Sequence, residues 1–289
     1  MRPAARESAA DPRPFRPSRW GRWALRTAAG GYLGFFIALP LAAVFASGFS
    51  GGLPGFFREL ARPAALDALR LTLLASLLMT AVNAVMGTLT AYLLVRYDFP
   101  GRRALDAAID IPFAIPTLVT GVMLVVLYGP QGWFGRWFEA RGIQIVFAKP
   151  GIVLALLLVC YPFVVRAVQP VLLEAERFAE EAALTLGASP WTTFRRVTLP
   201  AIAPAILTGS LLSFARGLGE FGSIVVVAGN IPGRTLTAPV YIYGEIESQN
   251  QRGASAVSVA LLALSFGLLL TSELLQRRRA GRRIEAVAA

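Results

Sequence analysis

Glu181-Ala-Ala-Leu-Thr-Leu-Gly187-Ala-Ser-Pro190-Trp-Thr-Thr-Phe-Arg-Arg-Val197-Thr-Leu-Pro200 is a charged, amphipathic stretch set between two long apolar runs. Gly187 suits the left-handed residue that ends a helix. Ser189 then fits an N-cap and Pro190 the first helical position, so a second short helix starts at once. Upstream, Leu172, Ala175, Ala179, Ala182 and Leu186 recur every three or four residues and predict one helix face. Glu174, Arg177 and Glu181 fall on another face, within i,i+3 and i,i+4 reach. Leu199-Pro200 is expected to start the next span. A unit this polar cannot lie in hydrocarbon and belongs at a membrane surface. It is either a linker resting on lipid or a grip for a soluble protein. Lipid-binding faces are rich in Lys and Arg, whereas this one carries Glu174, Glu176, Glu180 and Glu181 on a basic chain, which favours the grip.

The flanking runs belong to a wider pattern. The 289 residues are 55% apolar and 16% charged, with the charges gathered between apolar blocks. Six blocks, at about 25–49, 69–95, 109–128, 151–168, 201–228 and 254–275, are each long enough for a continuous helix to cross roughly 30 Å of hydrocarbon. The chain therefore reads as an all-α, polytopic membrane protein with membrane lipid as its solvent. The net charge of +11 comes from arginines beside the blocks, which is a topology signal rather than a nucleic-acid face. Arg2 to Arg26, Arg96, Arg102, Arg103, Arg166, Arg177, Arg195, Arg196 and the arginines from Arg277 to Arg283 share one side, which puts both termini in the cytoplasm. Residues 1–23, rich in Arg, Pro and Ala, are expected to be disordered. A cleavable signal peptide ending at Val44-Phe-Ala46 is the competing reading. Against it, the block is longer than a signal core, and its loss would leave an odd number of spans.

Several chemistries are excluded. There is no histidine, hence no His-based triad and no His-ligated metal, and no metal site is expected. Cys160 is alone and offers no disulfide framework. Lys149, the only lysine, follows no glycine-rich loop, so the chain lacks a Walker A lysine. Any ATP must be bound by another subunit.

Two spans carry candidate pathway residues. The third opens Asp110-Ile-Pro112-Phe-Ala-Ile-Pro116-Thr117-Leu-Val-Thr120-Gly121, where two prolines bend the helix. The freed carbonyls either line a cavity or are satisfied by the Thr117 and Thr120 hydroxyls. The fifth holds Ser213-Phe-Ala-Arg216-Gly-Leu-Gly219-Glu220-Phe-Gly222-Ser223. Arg216 and Glu220 can neutralise each other at i,i+4, either as a structural pair or beside an anion path that also uses glycine amides. Gly209, Ser213 and Gly217 form a small-residue stripe for close helix approach.

At Glu181-Ala182-Ala183, Gly187 and Val197-x-Leu-Pro200 the chain resembles the EAA signature of bacterial ABC-importer permeases, with Val197 where Ile is usual. The resemblance implies the type I ABC-importer permease fold over residues 24–277, a basic tail at 278–289, and a coupling helix at 188–196 seated on a cytoplasmic ATPase. Ala188, Ser189, Pro190, Trp191, Phe194 and Arg195 would make that contact. Phe214-Ala-Arg216-x-Leu-Gly-Glu220-Phe-Gly222 is similar to permeases for tetrahedral oxyanions. Tyr128-Gly-Pro-Gln-Gly-Trp133, Pro162-Phe-Val-Val-Arg166-x-Val-Gln169-Pro170 and Ala228-Gly-Asn230-Ile-Pro232 resemble the sulfate/thiosulfate branch. Molybdate/tungstate permeases are the alternative, and a secondary anion transporter is the alternative of another class. The resemblance further implies a bacterial inner-membrane location and a second homologous permease. It also implies two copies of the ATPase, which hold ATP and Mg, and a periplasmic sulfate- or thiosulfate-binding protein. The chain itself would bind no cofactor and catalyse nothing.

Overall fold

The computed structural model describes residues 19–175 and 177–288, with side-chain surroundings for residues 20–175 and 178–270. The expected disorder of the N-terminus therefore falls mostly outside the described residues. Two compact units meet between Ala46 and Ser47, and each is taken by itself.

The described part of the first unit is helical. α1 (Arg19–Leu33), a π-helical turn at Gly34–Ala38 and α2 (Leu39–Gly48) run on as one apolar helix, Trp20–Gly48, with a mean hydropathy of 1.9. At 29 residues it exceeds what a membrane crossing needs.

The second unit begins with α3 (Gly52–Leu60), α4 (Pro63–Arg96), α5 (Arg102–Ala114), α6 (Thr117–Tyr128) and α7 (Trp133–Glu139). It continues with α8 (Lys149–Glu174), α9 (Arg177–Thr185), α10 (Pro190–Thr193), a π-helical turn at Phe194–Thr198 and α11 (Leu199–Leu218). It closes with α12 (Gly222–Val227), α13 (Ala238–Glu247) and α14 (Gln251–Ala288). Among the described residues, α4, α8, the helix Pro190–Leu218 and the segment Gln251–Leu270 are long and apolar enough to cross a membrane.

α4, α8 and α11 form the core. Met79, Ile152, Leu156, Cys160 and Ile224 make one buried cluster; Leu94, Val164, Val168, Leu172 and Ile202 make another. The small-residue stripe does what its spacing implies. A Cβ on Gly209 would lie 2.8 Å from that of Ala167, and one on Gly217 would lie 2.6 Å from Met79 Cε. Between them Ser213 Oγ donates to the Cys160 carbonyl at 3.3 Å.

Four expectations need correction. The third span is not one bent helix: α5 and α6 meet at 112°. The break falls at Ile115 (φ −86°, ψ 127°), because a residue before proline is driven out of the helical region. Pro116 thus breaks the span, while Pro112 stays inside α5. The fifth span also stops early, at Leu218, and restarts as the separate α12. Leu172 and Leu186 do not share a helix, since Ala175 is extended (ψ 118°) and ends α8 before α9 begins. Finally, Leu199-Pro200 starts nothing new. α10 runs through the π-helical turn into α11, so Pro190–Leu218 forms one 29-residue helix.

Candidate functional site

The surface unit at 177–200 is built by local signals. α9 ends in paired 6→1 and 5→2 bonds, Ala188 N–H to the Ala183 carbonyl at 3.0 Å and Gly187 N–H to the Leu184 carbonyl at 3.0 Å. Gly187 sits at φ +86° with open space around it. Its backbone conformation alone, and not crowding, calls for glycine. Ser189 Oγ accepts the Thr192 N–H at 3.2 Å and caps α10.

A side-chain network that short-range spacing does not reveal ties this unit to the spans. Arg96, at the end of α4, donates to the Glu180 carboxylate at 3.0 Å and to the Leu172 carbonyl at 3.1 Å. That carbonyl lies in the last turn of α8, where no helical donor remains for it. Thr198 Oγ1 donates to the same Glu180 oxygen at 2.9 Å. The Arg96 side chain is 8% exposed, so this ion pair is largely out of water. Glu180, not the neighbouring Glu181, therefore anchors the unit. Glu181 is exposed beside a cleft of about 320 Å³ that Tyr92, Pro190 and Thr193 also line.

Beside the exposed Glu181, Arg195 and Arg196, the unit also presents apolar side chains. Leu186 is 88% and Trp191 68% exposed, and Phe178 is also exposed. Trp191 stacks on Phe194, whose ring stands edge-on to Tyr92. Ala182, Ser189, Pro190 and Arg195 are exposed, while Ala183, Ala188 and Phe194 are half-buried.

A second cluster lies where α6 meets α12. A Cβ on Gly121 would come 2.7 Å from the Ser223 carbonyl, and one on Gly222 would collide with Thr117 Oγ1. Glycine is required at both contacts. Glu220 is 1% exposed and lies in the break between α11 and α12. Its Oε1 accepts the Ser223 N–H and hydroxyl, each at 2.9 Å, and its Oε2 meets Arg216 Nη1 at 2.7 Å. The structure thus brings Thr117, Arg216, Glu220, Gly222 and Ser223 into one joint, with Gly219 in the break and Thr120 buried on α6. Pro112 stands apart, lining a groove against α4 and α8, and Pro116 is the hinge.

The sequence puts Arg166 in the loop at the end of the fourth apolar block, among the charges expected on the cytoplasmic side. It lies in α8 instead, donating to Asp110 through Nε at 2.8 Å and to Asp106 through Nη1 at 2.7 Å. It also bonds the Gln169 side chain. α5 is pinned to α8 by these contacts.

The family model for the binding-protein-dependent transport system inner membrane component matches residues 83–281. The chain belongs to this family. The permease is 44% identical over 245 residues to "Probable sulfate transport system permease protein cysT" of Chlorokybus atmophyticus, covering 85% of the permease and 86% of the relative. It is 44% identical over 246 residues to "Sulfate transport system permease protein CysT" of Synechocystis sp., with the same coverage. With the "Probable sulfate transport system permease protein cysT" of Chlorella vulgaris it shares 49% identity over 214 residues, 74% of the permease and 80% of the relative. A solved bacterial ABC transporter that imports the acidic polysaccharide alginate has a chain superposing with TM-score 0.76 at 18% identity, over 90% of the permease and 96% of that chain. At that identity the likeness bears on the fold, which is that of type I ABC-importer permeases. As a member of this family the permease is the membrane component of a multi-subunit importer and is not itself the enzyme that hydrolyses ATP.

Sequence reasoning singled out neither Arg96 nor Glu180 nor Thr198 as a partner set, and missed the Arg166 clamp. Arg96 was read only as a topology charge, and Arg166 as a topology charge and as part of the quoted Pro162–Pro170 stretch. Gln169 lay in a quoted stretch, but nothing in that stretch says that it faces Asp106.

Proposed function

We propose that this permease is one of two membrane subunits of an ATP-driven importer of sulfate, with thiosulfate as the companion substrate. The observation that carries this reading is the 44% identity over 85% of the chain to relatives named sulfate transport permeases. A second homologous permease would complete the path, and a periplasmic sulfate- or thiosulfate-binding protein would deliver the anion. Both termini would lie in the cytoplasm of a bacterial cell, with the assembly in its inner membrane.

Two copies of a cytoplasmic ATPase would hold ATP and Mg. The apolar patch of Phe178, Leu186 and Trp191 supplies a docking face for one of them, because exposed aromatics on a rigid surface are the usual anchors of protein interfaces. Pro190 starts a helix that continues to Leu218, so a push on Trp191 is carried along it to the Arg216–Glu220 joint. The pathway role falls to the α6–α12 contact beside that joint, where Thr117, Gly222 and Ser223 meet at a break in the spans.

The test is uptake of labelled sulfate by the reconstituted complex. Uptake that requires ATP and is competed by thiosulfate is expected. Uptake equally fast without ATP would point to a secondary transporter, and preferential competition by molybdate would move the chain to the other oxyanion branch.

A further inference from the structure

The 112° elbow between α5 and α6 leaves a groove against α4 and α8. Its lower part, about 560 Å³, runs along Met86, Ile109, Pro112 and Tyr161; its upper part, about 520 Å³, runs past Phe138 to Lys149. Tyr128, Leu154 and Leu157 line both parts, so the two adjoin along α8. The walls are hydrocarbon. Asn83 is turned to the Leu157 carbonyl, and the Tyr161 hydroxyl bonds to Thr90. Below Lys149 at the mouth, a multiply charged oxyanion would meet apolar walls, so the groove is not part of its path.

Its length and its mouth specify another occupant. From Lys149 to Tyr161 α8 rises about 18 Å, close to one leaflet of a hydrocarbon core about 30 Å thick. Lys149, the chain's only lysine, is exposed at one end, where the N-terminus of α8 adds its own positive field. Phe138 of α7 lines the same end, and α7 also presents Trp133, 85% exposed, and Trp137 with the Arg141 guanidinium 3.6 Å over its ring. Aromatic rings and cations at that depth mark the headgroup layer. We propose that the groove is a phospholipid site, with an acyl chain along α8 and the headgroup phosphate at Lys149. The bound chain fills the space that the broken span leaves open and holds the elbow against the bundle. This inference concerns the lipid alone and is independent of the transported substrate.

The complete transporter, in membranes containing a phosphatidylglycerol with a photoreactive diazirine on one acyl chain, is irradiated and its peptides are mapped. Adducts are expected to concentrate on residues 149–161 of α8 and 82–86 of α4. Leu158→Trp, at a half-open position on the groove wall, should abolish them. Lys149→Gln, which touches no core packing, should lower their yield roughly fivefold, the worth of one cation at a lipid surface. Adducts spread evenly over the lipid-facing helices, or confined to helices other than α4 and α8, would overturn the proposal.

Discussion

Arg216 and Glu220 meet at 2.7 Å across the end of α11, so their contact bridges a break in the chain and not a turn of helix. Glu220 is almost wholly buried, and two of its three donors come from Ser223. Removing the arginine leaves a buried carboxylate short of charge, a loss of about 3–5 kcal/mol. We expect Arg216→Ala to lower the melting temperature of the complex and the yield of assembled transporter. Adding Glu220→Gln should restore more than half of that loss. An Arg216→Ala complex that assembles normally and loses only uptake would place Arg216 in the anion path.

The turn at Gly187 gives a prediction free of packing effects. Since nothing surrounds the position, Gly187→Val acts through φ alone and costs about 1–2 kcal/mol. Sulfate transported per ATP should fall while ATP hydrolysis persists. Gly187→Asn should lie between the two, because asparagine tolerates the left-handed region. Unchanged stoichiometry in the valine variant would remove Gly187 from coupling.

The Arg96–Glu180–Thr198 network should be readable by thermal unfolding. Glu180→Gln is expected to cost about 2 kcal/mol, as for a hydrogen bond to a charged partner, and Thr198→Val about 1 kcal/mol. Because they share one oxygen, the double variant should lose less than the sum. Strict additivity would show that the network does not act as a unit.

At the α6–α12 contact, Gly222→Ala drives a methyl group into Thr117 Oγ1. Overpacking of this kind costs about 1–3 kcal/mol. Thr117→Ala in the same chain should recover part of it, measured as stability of the purified complex. No recovery would locate the strain elsewhere.

The spans were legible because hydropathy averages over some twenty residues and tolerates errors at the ends. Their breaks were not. Pro112 and Pro116 stand four apart with similar neighbours, and only the second ends a helix. Which carbonyls can be left unpaired depends on what α4, α8 and α12 present to them. The periodicity of Leu172 to Leu186 misled for a related reason: five apolar residues keep their spacing across an extended Ala175. The cap at Ser189 and the turn at Gly187 were legible since each is decided by neighbours in sequence. Arg96 and Glu180 are 84 positions apart, and no local pattern pairs them.

The π-helical turn at Phe194–Thr198 has a consequence for phase. A π turn accommodates one residue more than the α repeat allows, so everything after it is rotated by about 100°. Deleting one residue in that turn would leave an α-helix of ordinary geometry with its two halves in their present phase, whereas a one-residue deletion between the turn and Gly209 would swing Gly209, Ser213 and Gly217 off the face that meets α4 and α8. The azimuth at which Trp191 stands relative to the small-residue face is thus set by a residue count, and the π-helical turn is where that count can fall by one without loss of register.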